Sequence, residues 1–146
     1  MGLPAIADLA TGNPDWQVFA GSAAVSLFVG VSLMLTTRST SMTNLNLRQA
    51  FLLTTMSWVA VAAVGALPFA FSALEISLAD AFFESMSGIT TTGSTIIVGL
   101  DNAPPGILLW RALLQWLGGV GIIVMEMAML PILSVGGIQL FKTEAL

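Results

Sequence analysis

The stretch "FFESMSGITTTGST", Phe82 to Thr95, lies between two long apolar runs and matches neither. It is too short to cross a bilayer, whose hydrocarbon core takes about 20 helical residues. It also sets three consecutive threonines before a glycine, in a chain that is 56% hydrophobic and only 8% charged. A soluble domain of this size carries about three times that charge fraction. The composition therefore requires an integral membrane protein, and the use made of these hydroxyls and of this backbone decides what kind.

Three segments around the stretch are long enough to span. The first runs from about Trp16 to Leu35, entered through Asn13 and Pro14, a capping side chain followed by a proline whose missing N–H costs nothing there. The second runs from about Ala50 to Phe71, with Pro68 near its end. The third runs from about Ile107 to Leu133, entered through Pro104-Pro105 and closed by Pro131 and the Gly136-Gly137 pair. Trp16, Trp58, Trp110 and Trp116 lie mostly toward the ends of these spans, as interfacial aromatic belts do.

Four basic and eight acidic residues give a net charge of −4. They are spread thinly, with no basic run suited to nucleic acid. Cysteine and histidine are both absent, which excludes disulfides, thiol catalysis and the commonest metal ligands and general base. No enzymatic chemistry and no bound cofactor are expected. "MGLPAIADLATG" has neither the basic nor the long apolar region of a signal peptide. Arg38 and Arg48 flank the loop between the first two spans, and Lys142 follows the third. Asp8, Asp15, Glu75, Asp80 and Asp101 fall in the other segments. The positive-inside rule then puts the N-terminus outside and the C-terminus in the cytoplasm.

On that topology Ser77 to Leu100 begins and ends on the outer side. "SLAD", Ser77 to Asp80, is a helix start with a serine cap and an acid three residues on. Leu78 to about Ser87 reads as a helix of about 15 Å at 1.5 Å per residue, half a membrane. Gly88 is placed to end it in a left-handed conformation. The β-branched run "ITTTGSTIIVG" then suits extended backbone. Helix in and strand out make a re-entrant loop. Irregular backbone at membrane depth survives only where protein buries it or where it lines a wet cavity. Its free carbonyls can replace the hydration shell of a cation, as the T-V-G-Y-G strands of potassium channels do, and the short helix aims its negative end the same way. Aligned on the glycine, the chain reads Thr91-Thr92-Gly93-Ser94-Thr95. The fold class expected is all-α integral membrane: three transmembrane helices plus one re-entrant pore helix and an extended filter strand. A polar extracellular turn is the plainer alternative for the threonines.

The order of a span, then "DAFFESMSGITTTGST", then "WRALLQWLGGVGIIVMEMAMLPILSVGGIQLF" resembles the Trk/Ktr/HKT family of potassium transporters, and within it the TrkH-type membrane subunits. The likeness covers nearly the whole chain. It implies that residues 1–46 are an N-terminal outer segment, an extra transmembrane helix and a cytoplasmic loop. Residues 47–146 would be the first of four M1–pore–M2 repeats, so the chain reads as a fragment. The function implied is passage of potassium, the transported substrate, through a channel-like pore of a bacterial inner membrane. Filter carbonyls fall on Thr91, Thr92, Gly93 and Ser94, with Thr90 at the inner edge. Thr95 stands where a channel has its second filter glycine. The partners implied are membrane lipid, the remaining repeats, a second copy of the full subunit and a cytoplasmic nucleotide-binding regulatory subunit. The rival reading is a non-transporting membrane stub or interaction subunit.

Supporting residues have readings of their own. Glu84 is expected to brace filter amides or to pair with Arg111, in preference to binding the ion itself. Gly118, Gly119 and Gly121 form a small-residue packing surface. Glu126, deep in the third span, either faces a wet vestibule or is protonated. The eight methionines read as lipid-facing or packing residues.

Overall fold

The computed structural model describes residues 1–38 and 47–144, with side chains described for 1–38 and 48–127. The elements in order are α1 (Gly2–Thr11), α2 (Trp16–Thr37), α3 (Leu47–Gly65), α4 (Leu67–Phe71), α5 (Leu78–Ile89), a 3-10 turn (Leu100–Asn102) and α6 (Pro105–Glu144). Three helical stretches, Trp16–Thr37, Arg48–Phe71 and Pro105–Met127, are long and apolar enough to cross a membrane. The all-helical membrane class therefore stands. No strand occurs among the described residues. The chain after α5 is irregular, without the extended strand expected there.

The spans follow local chemistry. Asn13 Oδ1 accepts from the Asp15 N–H (3.1 Å) and the Pro14 carbonyl accepts from the Gln17 N–H (3.2 Å), so the Asn-Pro pair makes the turn before α2, but the cap position is Asp15, without a side-chain capping bond, and is not Asn13. The second span is interrupted at Ala66, two residues before Pro68, which cannot donate to the carbonyl four residues back. Beside the interruption, the indole N–H of Trp110 on a neighbouring helix donates to the Gly65 carbonyl at 2.9 Å. Trp110 is buried and stacks edge-on against Phe19, with ring centroids 6.4 Å apart. It is a core residue, unlike a belt tryptophan. The third span does not close at Pro131 or at Gly136-Gly137; α6 runs through both to Glu144. One proline removes a single hydrogen bond, which a long membrane helix tolerates. The loop between the first two spans, residues 39–46, and the Lys142 side chain lie outside the described residues.

The half-length helix α5 starts where expected. Ser77 is its N-cap and accepts from the Asp80 N–H at 3.2 Å. Its end differs. The helix continues through Gly88 to Ile89, and the cap is Thr90 at φ −81°. Gly88 is used for closeness, because a Cβ there would lie 3.1 Å from Leu114 Cβ. At 12 residues, α5 is about 18 Å long, still close to half a bilayer core.

Helix α1 was not foreseen. Gly12, at φ 73°, closes it, with its N–H on the Asp8 and Leu9 carbonyls. It packs on α2 and α6, while α5 packs between α3, α4 and α6. The core is Phe19, Ala62, Ala66, Phe69, Ala81, Ile89, Ile97, Ile107, Trp110 and Leu114. Elsewhere the spans are apolar and open: Leu27, Phe28, Met34, Met56, Trp116 and Met127 are each more than 60% exposed. Such a surface needs lipid or further protein against it.

Candidate ion-path site

The site is the loop that leaves α5, residues 90 to 97, together with the side chains of α5 and α6 that hold it. Thr90 keeps the last helical bond, its N–H to the Met86 carbonyl at 2.9 Å. Its hydroxyl donates to the same carbonyl at 2.7 Å and lies 2.9 Å from the Thr92 hydroxyl. The Thr91 N–H turns back onto the Gly88 carbonyl at 3.0 Å. Two residues then take positive φ: Thr91 at 59° and Gly93 at 78°. Glycine adopts this region freely, whereas a β-branched residue there is an outlier. Residues 90 to 96 are all exposed.

The carbonyls of this loop are not equivalent. That of Ser94 accepts from the Ser87 hydroxyl at 2.6 Å. Those of Thr91, Thr92 and Gly93 accept no hydrogen bond among the described residues. Three exposed, unpaired carbonyls beside two threonine hydroxyls form an oxygen-rich surface, the ligand type that suits a weakly hydrated cation. No group of three His, Cys, Asp or Glu side chains occurs among the described residues.

Behind the loop sits a buried ion pair. Glu84 is fully buried on α5. Its Oε1 accepts from Arg111 Nε of α6. Its Oε2 accepts from the Ile96 N–H and the Thr95 hydroxyl, both at 3.1 Å. Thr95 Oγ1 in turn accepts from the Ile97 N–H at 3.1 Å. One carboxylate thus joins a guanidinium, a hydroxyl and a loop amide, which is how a buried charge becomes tolerable. Arg111 Nη2 is buried with no partner among the described residues.

The glycines of α6 stand at three different contacts. A Cβ on Gly118 would lie 1.8 Å from the Ile89 carbonyl oxygen, so only glycine lets α6 cross the end of α5 at this distance. Gly119 is near the Thr91 methyl, at 3.9 Å from its own ideal Cβ, and Gly121 faces the Trp58 ring at 3.6 Å. Glu126 is exposed on α6.

Asp8 and Ser87 were both missed. Asp8 Oδ1 accepts from the Gly106 N–H, at the start of α6, at 2.7 Å; its Oδ2 is buried and unpartnered among the described residues. Burial pushes the Asp8 carboxyl above its ordinary 3.8; the Gly106 N–H opposes the rise and the charge of Asp15 adds to it. A signal existed, since Pro104-Pro105-Gly106 opens a helix with no adjacent acid or hydroxyl to cap it. Ser87 offered none, because a serine on a short helix is ordinary until its partner is seen.

The family model described as TrkH, cation transport protein, matches residues 15–146. The chain is 43% identical over 145 residues to the Trk system potassium uptake protein TrkI of Halomonas elongata, covering 99% of this chain and 29% of that protein. It is 43% identical over 143 residues to TrkH of Escherichia coli K12, covering 97% of this chain and 29% of that one. With TrkG of the same organism it shares 34% over 128 residues, 87% of this chain and 26% of that protein. The chain thus spans less than a third of the length of these curated relatives, which are uptake proteins and not enzymes. The match runs from the entry of α2 through the loop to the end of α6, and on that extent the chain belongs to the TrkH family of cation transport proteins.

Proposed function

We propose that this chain supplies one M1–pore–M2 repeat of a potassium uptake pore, residues 47–146, preceded by an outer segment, an extra transmembrane helix and a cytoplasmic loop in residues 1–46. On this reading α5 enters the membrane from outside as a pore helix, and Thr90 to Ser94 form its share of the filter. The observation that carries it is the exposed loop with unpaired carbonyls at Thr91, Thr92 and Gly93, held from behind by Glu84 and Arg111. One such loop can face an ion on one side only, whereas stripping a hydration shell takes rings of oxygens. The remaining repeats are therefore the first partners required, and the apolar outer faces of α2, α3 and α6 fit them or lipid. A second copy of the full subunit and a cytoplasmic nucleotide-binding subunit complete the proposed assembly, in a bacterial inner membrane.

The test places residues 1–146 of this chain in the corresponding segment of Escherichia coli TrkH, in a strain without other potassium uptake. Saturable potassium uptake is expected. Gly93→Ala should lower the preference for potassium over sodium by about tenfold, the equivalent of the 1–2 kcal/mol a Cβ costs at positive φ. An unchanged preference at normal membrane abundance would show Gly93 to be an ordinary turn residue and would remove the filter reading.

A further inference from the structure

The irregular loop has two differently held halves, and one side chain divides them. Ser87 lies on the last turn of α5, 5% exposed, and makes two bonds to the loop. Its carbonyl accepts the Gly93 N–H at 3.3 Å. Its hydroxyl donates to the Ser94 carbonyl at 2.6 Å. The backbone from the Gly93 amide to the Ser94 carbonyl is therefore drawn onto α5 by a single residue. Beyond it, Thr95 and Ile96 are held by Glu84. The carbonyls of Thr91 and Thr92 before it, and that of Gly93 within it, carry no bond among the described residues.

We propose that Ser87 is a positioning residue that sets where this repeat's row of ion-facing oxygens stops. By taking the Ser94 carbonyl toward α5, it leaves Thr91, Thr92 and Gly93 as the carbonyls that meet the ion, with the threonine hydroxyls beside them. Ser94, counted with the filter segment above, then closes that segment structurally and supplies no ligand to the ion. The sequence alignment on Gly93 assigned Ser94 a filter carbonyl because spacing along a strand says nothing about which way an irregular backbone turns. The Ser94 side chain, exposed and without a bond among the described residues, is free of this role.

The proposal rests on the filter reading above, and its test separates the two. In the same full-length transporter, the potassium-over-sodium preference is measured for Ser87→Ala, Ser87→Cys, Ser87→Thr and Gly93→Ala. A preference is a ratio, so it is independent of how much protein inserts. Ser87→Ala and Ser87→Cys, which remove or weaken the donor, should each lower it about fivefold, the size of one ordinary hydrogen bond. Ser87→Thr, which keeps the hydroxyl, should restore it to within about twofold. Wild-type preference in both Ser87→Ala and Ser87→Cys, with Gly93→Ala impaired, would overturn the role of Ser87 alone. A threonine variant as impaired as the alanine one would also overturn it. Wild-type preference in Gly93→Ala would remove the filter reading itself.

Discussion

Thr91 and Gly93 share the left-handed region, at φ 59° and 78°, and they do so at different cost. A Cβ there costs about 1–2 kcal/mol, and a branched one crowds the backbone further. Strain of this kind persists only where surrounding bonds enforce it, and the Thr91 N–H to Gly88 bond and the Thr90–Thr92 hydroxyl contact do so here. Thr91→Gly should therefore stabilise the fold by up to about 1 kcal/mol, part of the relief being offset by the entropy glycine loses. Thermal unfolding in detergent would read this, and a clearly less stable variant would show that the Thr91 side chain contributes more than its strain. Gly99 offers the complementary control. It too has positive φ, 71°, but it precedes the 3-10 turn outside residues 90 to 94. Gly99→Ala should lower stability about as much as Gly93→Ala while leaving potassium preference unchanged. A selectivity change from Gly99→Ala would mean that backbone strain anywhere in the loop reaches the ion.

At the scale of elements, a polar contact and close packing hold α5 to α6 among the described residues. The polar contact is the Glu84–Arg111 pair, and the crossing is Gly118 on the Ile89 carbonyl. Breaking a buried ion pair from one side leaves the other charge stranded, at about 3–5 kcal/mol, whereas replacing both members by uncharged groups costs much less. Glu84→Gln and Arg111→Gln should each reduce folded protein severely. The double variant should recover part of the loss, a coupling that a thermodynamic cycle in detergent measures directly. Strictly additive losses would show that the pair does not act as a unit. Gly118→Ala leaves no such rescue, because its obstacle is backbone. It should separate α5 from α6 and lower membrane abundance.

Across the whole molecule, helix α1 is fastened to α6 through Asp8, which meets the first turn of that helix at Gly106. The carboxylate answers an otherwise unpaired helical N–H and sits at the positive end of the helix dipole. Gly106 is required because a Cβ there would lie 2.2 Å from Asp8 Oδ2. Since burial raises the Asp8 value above 3.8, the folded state binds the proton more tightly than the unfolded chain. The stability it contributes is thus full below the ordinary value and falls as pH climbs through the raised one. Asp8→Asn keeps the acceptor and removes the titration, so the difference between wild type and Asp8→Asn should change over that window and nowhere else. Asp8→Ala should lose about 1–3 kcal/mol throughout, from the orphaned Gly106 N–H. Equal pH profiles for wild type and Asp8→Asn would show that the buried carboxyl does not titrate on folding. Orientation is tested at the same scale. With the N-terminus outside, a cysteine at Asn102 should react with an impermeant reagent from outside and one at Ser41 should not. The reverse pattern would invert the topology.

Composition and hydropathy alone determined the class and the three spans, because desolvating a backbone in lipid leaves few alternatives to long apolar helices. The cap at Ser77 and the turn at Asn13-Pro14 were legible for a related reason: they are local, made by residues within three or four positions of the group they satisfy, although the cap position of α2 itself fell on Asp15. The motif around Thr90 to Thr95 was legible as a pattern of residue types. What only the tertiary structure decided were the contacts between residues far apart in the chain. Asp8 meets Gly106 across 98 positions and Trp110 meets Gly65 across 45, while Arg111 meets Glu84 across 27, a pairing the sequence offered as an alternative to bracing loop amides and the structure combines with it. The same holds for the end of α5. Gly88 read as a left-handed stop, yet Leu114 and the close crossing of α6 make it a packing residue, and the turn falls on Thr91 and Gly93. A glycine's own chemistry permits both uses, and the choice belongs to whatever packs against it.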